Sequence, residues 1–162
     1  MNATRILAIR HGETAWNVDT RIQGQLDIPL NDTGRWQARR MALALANEPI
    51  RAIYASDLLR ARETAFALAA TTDLPVLSEQ GLREREFGVF EGKTFAEIAS
   101  LWPEQSQRWR KRDPDFAPEG GESLLQFRQR VTRTAQALAE RHPGELIALV
   151  SHGGVMDVLY RA

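Results

Sequence analysis

Short apolar runs alternate along this chain with longer segments in which apolar residues recur every three or four positions. The runs have the composition of β-strands and lie at residues 4–9, 51–56, 74–77 and 146–150. The helical segments lie at residues 31–47, 57–70, 94–112, 123–142 and 154–162. Strands that alternate with helices form a parallel sheet covered on both faces. We therefore predict an α/β fold of three layers, α/β/α, with a mainly parallel sheet in a single domain over residues 1–162.

Local patterns position several of these elements. Residues 146–150 are apolar throughout, which predicts a strand at the centre of the sheet. Ser123 and Gln126 have the spacing of a capping box that begins a helix. The apolar stripe of that helix comprises Leu124, Phe127, Val131, Ala135 and Leu138. Pro103 breaks residues 94–112 into one or two helices, and residues 15–32 lack periodicity, as functional loops often do.

The last helical segment has no cap, glycine or proline stop before Ala162. We expect that the C-terminal part of the domain is missing from this chain and that longer relatives continue beyond this point.

Charge and cysteine content exclude several classes of protein. Lys and Arg together number 21, as do Asp and Glu, so the net charge gives no support for a nucleic-acid-binding protein. The chain has no Cys, which excludes disulfides, cysteine zinc sites and a cysteine nucleophile. The apolar run near the N-terminus is too short for a signal peptide or a membrane span. These features favour a cytoplasmic protein that binds neither membranes nor nucleic acid.

Two of the three histidines follow predicted strands and precede glycine. His11 comes after the first strand, and His152 comes after the last one. Because ligands bind at the carboxyl ends of parallel strands, we expect both imidazoles at one crevice. Arg10 adjoins the first of them, and Arg60 lies near the start of the second helix, so the two guanidiniums could grip an anion. His142 lies at a predicted helix C-terminus, where a cation stabilises the helix, so a structural role is favoured for it.

Four glutamates are candidates for the acid–base group, and their spacing does not distinguish among them. Glu84 lies in a charged segment together with Glu86 and Glu91, and Glu13 follows the first histidine. The chain has neither a Walker A sequence nor a His-Glu-x-x-His motif, so a P-loop nucleotidase is disfavoured and the histidines make a poor set of metal ligands.

The residues around these histidines resemble the histidine phosphatase superfamily, which includes the phosphoglycerate mutases. Residues 7–14 are similar to its Arg-His-Gly-Glu signature. The similarity continues through Trp16, Asn17, Arg21, Gln23 and Gly24. It recurs in family order at residues 56–61, 82–84, 87–88, 91–92, 120–123 and 150–154. This ordered set covers nearly the whole chain and is far more specific than one Arg-His-Gly triplet.

The resemblance implies a role for each matching residue. His11 would be the nucleophile that forms a phosphohistidine, and His152 would be its partner at the transferring phosphoryl group. Arg10 and Arg60 would grip the phosphate oxygens, and Glu84 would be the general acid on the leaving oxygen. The substrate-binding residues would be Asn17, Arg21, Gln23, Gly24 and Gly153. The scheme requires no cofactor and no metal.

Three functions stay open on the sequence alone. The first is a phosphomonoesterase that hydrolyses small phosphate esters, and the second is a cofactor-dependent phosphoglycerate mutase. Family mutases of this type carry an extra segment between the acidic Glu and the second His, whereas Glu84 and His152 are only 68 positions apart here, which favours the phosphatase. The third is an inactive phosphate-binding relative or fragment. The natural substrate and a homodimeric state also stay open.

Overall fold

The computed structural model describes residues 2–162 and contains one parallel sheet of four strands. The strands are β1 (Arg5–Arg10), β2 (Ile50–Ala55), β3 (Val76–Ser78) and β4 (Leu146–Ser151). Their order across the sheet is β1-β4-β2-β3, and every neighbouring pair is parallel. The apolar run near the C-terminus is therefore a central strand, as predicted, and all six residues of β4 are buried.

Helices cover both faces of the sheet. The seven helices are α1 (Ala15–Val18), α2 (Asp32–Ala44), α3 (Leu59–Thr72), α4 (Phe95–Leu101), α5 (Pro103–Arg110), α6 (Leu124–Glu140) and α7 (Gly153–Arg161). Successive residues of β4 point to opposite faces, so Ala148 and Val150 pack with Leu68 of α3. Ile147 and Leu149 pack on the other face with Leu138 of α6. The predicted three-layer α/β/α fold is confirmed.

Local signals account for the helix boundaries. The side chain of Ser123 accepts the backbone N–H of Gln126, and that of Gln126 accepts the N–H of Ser123, so the capping box begins α6 as predicted. All five residues of its predicted apolar stripe are buried. Trp102 lies between α4 and α5, and Pro103 is the first residue of α5. A backbone N–H at this position has no partner within the helix, so proline, which lacks that N–H, is tolerated there.

Residues 15–32 differ from the prediction because they contain α1. This helix has only four residues, too few to show a period, and it depends on a capping box between Thr14 and Asn17. The second predicted helix also begins later than expected, at Leu59. Asp57 is instead turned towards Arg83, and its carboxylate makes two bonds of 2.7 Å to that guanidinium.

A small aromatic core supports the loops above the carboxyl ends of the strands. Phe90, Ile98 and Phe116 are buried there, and Trp102 and Trp109 pack against them. Within residues 2–162, no helix combines the length and the apolar character that a membrane crossing needs.

Candidate active site

The parallel sheet brings the two predicted histidines side by side. His11 follows β1 and His152 follows β4, and these strands are neighbours in register. The backbone N–H of His11 donates to the carbonyl of Ser151 at 3.0 Å. The two imidazole centroids are 5.3 Å apart, with the ring planes at 62°. His11 and His152 are far apart in the sequence but are neighbours in the structure, because the two adjacent parallel strands that precede them end at the same edge of the sheet.

His11 has one ring nitrogen occupied and one free. Its Nδ1 lies 2.6 Å from the carbonyl oxygen of Gly12, which can only accept a hydrogen bond, so Nδ1 carries the proton. Nε2 then holds the lone pair and has no hydrogen-bond partner in the part of the chain that the structure describes. Burial lowers the pKa of His11 to about 4, and the positive charges of Arg60 and Arg10 act in the same direction. At neutral pH this imidazole is uncharged and is able to attack an electrophile.

His152 lies deeper than His11 and has no exposed surface. Its Nε2 is 2.8 Å from the hydroxyl oxygen of Ser56, at the end of β2. Its Nδ1 is buried and has no partner within residues 2–162. Burial holds the pKa of His152 well below its ordinary value, with further lowering by nearby cations, of which Arg60 is the first. Both imidazoles are therefore neutral, and the positive charge of the site resides on the guanidiniums.

Arg60 projects from the first turn of α3 and is almost fully buried. Its Nη1 donates to the carbonyl of Leu26 and its Nη2 to that of Gly24, both at 2.7 Å. Its Nε is buried and makes no hydrogen bond to any described residue. Burial lowers the pKa of Arg60 to about 10, so the group stays charged at neutral pH. Arg60 is thus a cation fixed by two backbone carbonyls, with only its Nε–H free to bind an anion, rather than a flexible guanidinium that could bind an anion through two N–H groups.

Arg10 supplies a second and more accessible cation. Its side chain is exposed and lines the same cavity as His11 and Arg60. A Cβ added at Gly153 would lie 3.3 Å from Arg10 Cζ, so the glycine at the start of α7 leaves room for this guanidinium. The predicted pair of arginines is present at one cavity, with Arg60 fixed and Arg10 free to adjust.

Of the four carboxylates left open by the sequence, only Glu84 lines this cavity. Its Oε2 accepts the N–H of Gly154 at 3.0 Å, and its Oε1 accepts the N–H of Arg85 at 2.9 Å. Glu91 is instead bonded to the N–H groups of Gln25 and Phe87. Glu84 is placed by a contact with α7, which lies 70 positions away in the chain.

Arg130 of α6 fixes the backbone of the segment that carries Glu84. Its Nη1 donates to the carbonyls of Gly81 at 3.0 Å and Arg83 at 2.9 Å, and its Nη2 donates to the carbonyl of Glu84 at 3.2 Å. Glu122 pairs with the same guanidinium and accepts the N–H of Glu86 at 3.0 Å. The segment has little regular structure and takes its shape from these bonds.

All five predicted substrate-binding residues line the cavity, whose volume is about 550 Å³. They are Asn17, Arg21, Gln23, Gly24 and Gly153. Buried Thr14 orients the two amides among them. Its N–H lies 2.9 Å from Asn17 Oδ1, and its hydroxyl lies 2.7 Å from Gln23 Oε1. Both amide oxygens therefore face Thr14, which leaves their NH₂ groups available to a ligand.

Within residues 2–162, no group of three or more His, Cys, Asp or Glu side chains is arranged to hold a metal ion. His142 lies away from the cavity, where its Nε2 is 2.8 Å from the Tyr54 hydroxyl and its Nδ1 is 3.1 Å from Glu145. Its structural role at the end of α6 is the one that the sequence favoured.

A family model for the histidine phosphatase superfamily (branch 1) matches residues 6–162. The chain belongs to the histidine phosphatase superfamily. It is 44% identical over 158 residues to phosphoglycerate mutase-like protein 4 of Arabidopsis thaliana, across 96% of this chain and 69% of that protein. It is 39% identical over 161 residues to the metal-independent phosphoserine phosphatase of the same plant, across 97% of this chain and 67% of that protein.

Solved structures of histidine phosphatases superpose closely on this chain. Bacillus stearothermophilus YhfR matches with a TM-score of 0.91 and 37% identity, across 98% of this chain and 78% of that chain. The native mycobacterial glucosyl-3-phosphoglycerate phosphatase matches with a TM-score of 0.86 and 37% identity, with the same two coverages. The fold and the family predicted from the sequence are both confirmed.

Sequence reasoning overlooked four side chains that shape this histidine phosphatase site: Thr14, Ser56, Arg130 and Phe95. Phe95 is half exposed at the cavity and stacks on Trp109 with centroids 5.0 Å apart. Thr14 and Ser56 lie within or beside the matched motifs, so their positions could have drawn attention to them. Nothing in the sequence distinguishes Arg130 from the other arginines of α6.

Proposed function

We propose that this chain is a metal-independent phosphomonoesterase that hydrolyses small phosphate esters through a phosphohistidine on His11. The observation that carries the proposal is the state of that imidazole. Its Nδ1 proton is bonded to the Gly12 carbonyl, its low pKa keeps the ring neutral, and Nε2 is free beside two arginines. A neutral imidazole that is fixed in this way is suited to attack phosphorus.

The two guanidiniums would stabilise the phosphoryl group during transfer. Phosphoryl transfer spreads negative charge over the equatorial oxygens, and fixed positive charge stabilises it. Arg60 is held by two carbonyls with Nε unpartnered, and Arg10 is exposed at the same cavity. The free NH₂ groups of Asn17 and Gln23 would add neutral donors to phosphoryl or leaving-group oxygens.

Glu84 would act as general acid and then as general base. It would protonate the leaving oxygen as His11 Nε2 forms its bond to phosphorus and the ester oxygen departs. The resulting carboxylate would then remove a proton from water as water attacks the phosphohistidine and releases phosphate. Its side chain lines the cavity beside His11 and Arg60, and this position supports the assignment.

The names of the relatives support hydrolysis of small phosphate esters. They include a metal-independent phosphoserine phosphatase and a mycobacterial glucosyl-3-phosphoglycerate phosphatase. Other relatives are named phosphoglycerate mutases, among them a probable mutase of Photorhabdus laumondii that is 36% identical over 159 residues. Between Glu84 and His152 the chain forms a 3-10 turn (Gly88–Phe90), α4, α5, a loop, α6 and β4, and this short span of 68 positions favours hydrolysis over mutase activity.

Release of p-nitrophenol from its phosphate ester tests the enzyme against the inactive-relative alternative. We expect turnover by the wild-type protein and none above background for His11→Ala, together with an acid-labile phosphoenzyme in rapidly quenched wild-type reactions only. A folded wild-type protein that neither turns over nor becomes labelled would support a binding role instead.

Product analysis separates phosphatase from mutase. With 3-phosphoglycerate and a bisphosphoglycerate primer, we expect phosphate release to exceed the formation of 2-phosphoglycerate. Isomer interconversion well above phosphate release would reverse this assignment. The single domain over residues 1–162, the cytoplasmic location, the homodimer and the absence of nucleic-acid binding stay predictions.

A further inference from the structure

The hydroxyl of Ser56 is the only hydrogen-bond partner of the His152 ring among the described residues. Ser56 directly follows β2, so its side chain meets His152 at the carboxyl end of the neighbouring strand β4. Ser56 Oγ and His152 Nε2 are 2.8 Å apart, and both residues have no exposed surface. Because both side chains are buried, the protein groups around them determine which ring nitrogen carries the proton.

The bonds around Ser56 fix the direction of this contact. Ser56 Oγ accepts the backbone N–H of Leu58 at 3.3 Å and has one hydrogen to donate. If Nε2 carried the imidazole proton, the serine hydrogen would have no acceptor and Nδ1 would have no donor, which leaves two buried groups unpaired. If the serine donates to Nε2, only the Nδ1–H is unpaired. Buried polar groups are nearly always paired, so the second arrangement is favoured.

We infer that Ser56 is a positioning residue, which holds His152 in the tautomer with its proton on Nδ1 so that the ring offers an N–H donor to a phosphoryl group on His11. The inference rests on the proposed function. The unpartnered Nδ1 is the one polar ring atom of His152 that a ligand could satisfy, and the two imidazole centroids are 5.3 Å apart. His152 is neutral because burial and its cationic neighbours depress its pKa. A neutral imidazole donates from one nitrogen only, so the tautomer decides whether this donor exists.

NMR spectroscopy of protein labelled with ¹⁵N at histidine tests the tautomer directly. The chain has only three histidines, so substitution of His11 and of His142 assigns their signals and leaves those of His152. We expect a protonated Nδ1 and an unprotonated Nε2 for His152 in the wild-type protein. Addition of inorganic phosphate should shift the Nδ1 proton downfield. A protonated Nε2 in the wild-type protein would overturn the inference without any variant.

Kinetics of Ser56→Ala tests the consequence. We expect the rate of phosphohistidine formation to fall by about 10- to 100-fold, which corresponds to one hydrogen bond to a charged group. The His152 signals should lose their preference for Nδ1–H. Ser56→Thr keeps the hydroxyl and should recover most of the rate that Ser56→Ala loses. If the extra methyl group of threonine does not fit, Ser56→Cys, whose thiol is a weaker donor, should recover part of that rate. Ser106→Ala removes another buried hydroxyl, on α5, and serves as the control with wild-type rates.

The outcomes separate this inference from the proposed function. A wild-type protein without phosphohistidine or turnover contradicts the proposed function, whereas the phosphate titration of His152 still reports on Ser56. An active wild-type protein whose Ser56→Ala variant keeps both the Nδ1–H tautomer and the wild-type rate contradicts the Ser56 inference alone.

Discussion

Gly154 allows the carboxylate of Glu84, the proposed general acid, to lie against the start of α7, and replacement of the glycine by alanine should misplace that group. The N–H of Gly154 donates to Glu84 Oε2 at 3.0 Å. A Cβ at this position would overlap Glu84 Oε1 and lie 3.1 Å from Glu84 Cδ. The contacting atoms belong to the end of a flexible side chain, so the carboxylate can move away from α7 while the fold stays intact.

The size of the effect follows from the displacement. To restore an ordinary contact distance, the carboxylate must shift by about 1 Å, and a displacement of this size in an active site can reduce the rate by about 100-fold. Folding should be spared, because alanine has a higher helix propensity than glycine. We therefore expect a thermal midpoint at or above that of the wild type together with a large loss of activity.

The choice of substrate separates loss of the acid from general damage. An alkyl phosphate has a poor leaving group that would need a proton from Glu84 in the proposed mechanism, whereas p-nitrophenolate leaves without much assistance. We expect kcat to fall by about 100-fold for the alkyl ester and by less than about 10-fold for p-nitrophenyl phosphate. Gly153→Ala is the matched control, since its Cβ would meet the Arg10 guanidinium instead of Glu84, with Cζ at 3.3 Å and Nε at 3.4 Å. It should change KM more than kcat.

Two results would refute the reasoning. Equal losses for both esters in Gly154→Ala would mean that Glu84 does not act as the acid or that the whole cavity has changed. Unchanged rates for both esters would mean that the carboxylate position does not limit catalysis.

Three further predictions rest on individual side chains. Because burial lowers the pKa of His11 to about 4, the proposed nucleophile becomes protonated only as the pH falls through that value, and kcat/KM, corrected for ionisation of the substrate, should show no loss from protonation of this ring above about pH 5; an acidic limb centred near 6.5 would contradict this. Arg60→Lys removes the planar guanidinium that donates to the carbonyls of Leu26 and Gly24. We expect kcat/KM to fall by more than about 100-fold and the hydrogen exchange of the backbone amides of residues 24–27 to accelerate. Unaltered exchange would show that Arg60 does not hold that loop. Ser123→Ala removes the cap of α6 and should lower the free energy of unfolding by about 1 kcal/mol, measured by urea denaturation, with kcat unchanged.

The sequence predicted the parts of the site that depend on topology. In a parallel sheet, every strand delivers the residue after it to the same edge, so strands that end before His11 and His152 suffice to place both imidazoles together. Arg60 follows from the same reasoning, because α3 begins directly after β2. These conclusions depend only on the strands being parallel, and the alternation of strands and helices along the sequence predicts that.

The sequence could not predict contacts that depend on side-chain geometry between distant segments. Residue type and spacing left Glu84 equivalent to Glu13, Glu86 and Glu91, and the choice came from the resemblance alone. The structure separates them through the bond from Gly154, which depends on how α7 packs. The carbonyl partners of Arg60 likewise come from the loop at residues 24–26, which has no periodic signal.

The buried charge of Arg60 links the stability of the fold to the proposed function. Arg60 is 1% exposed and has no carboxylate within ion-pair distance among the described residues. Two carbonyls satisfy part of its hydrogen bonding but supply no full negative charge. A buried cation without a counter-ion is costly, and nearby carboxylates, of which Glu84 is the first, offset this cost only partly. In the proposed mechanism a phosphate dianion bound beside His11 would supply this charge, so the buried cation that costs stability is also the group that would attract the substrate.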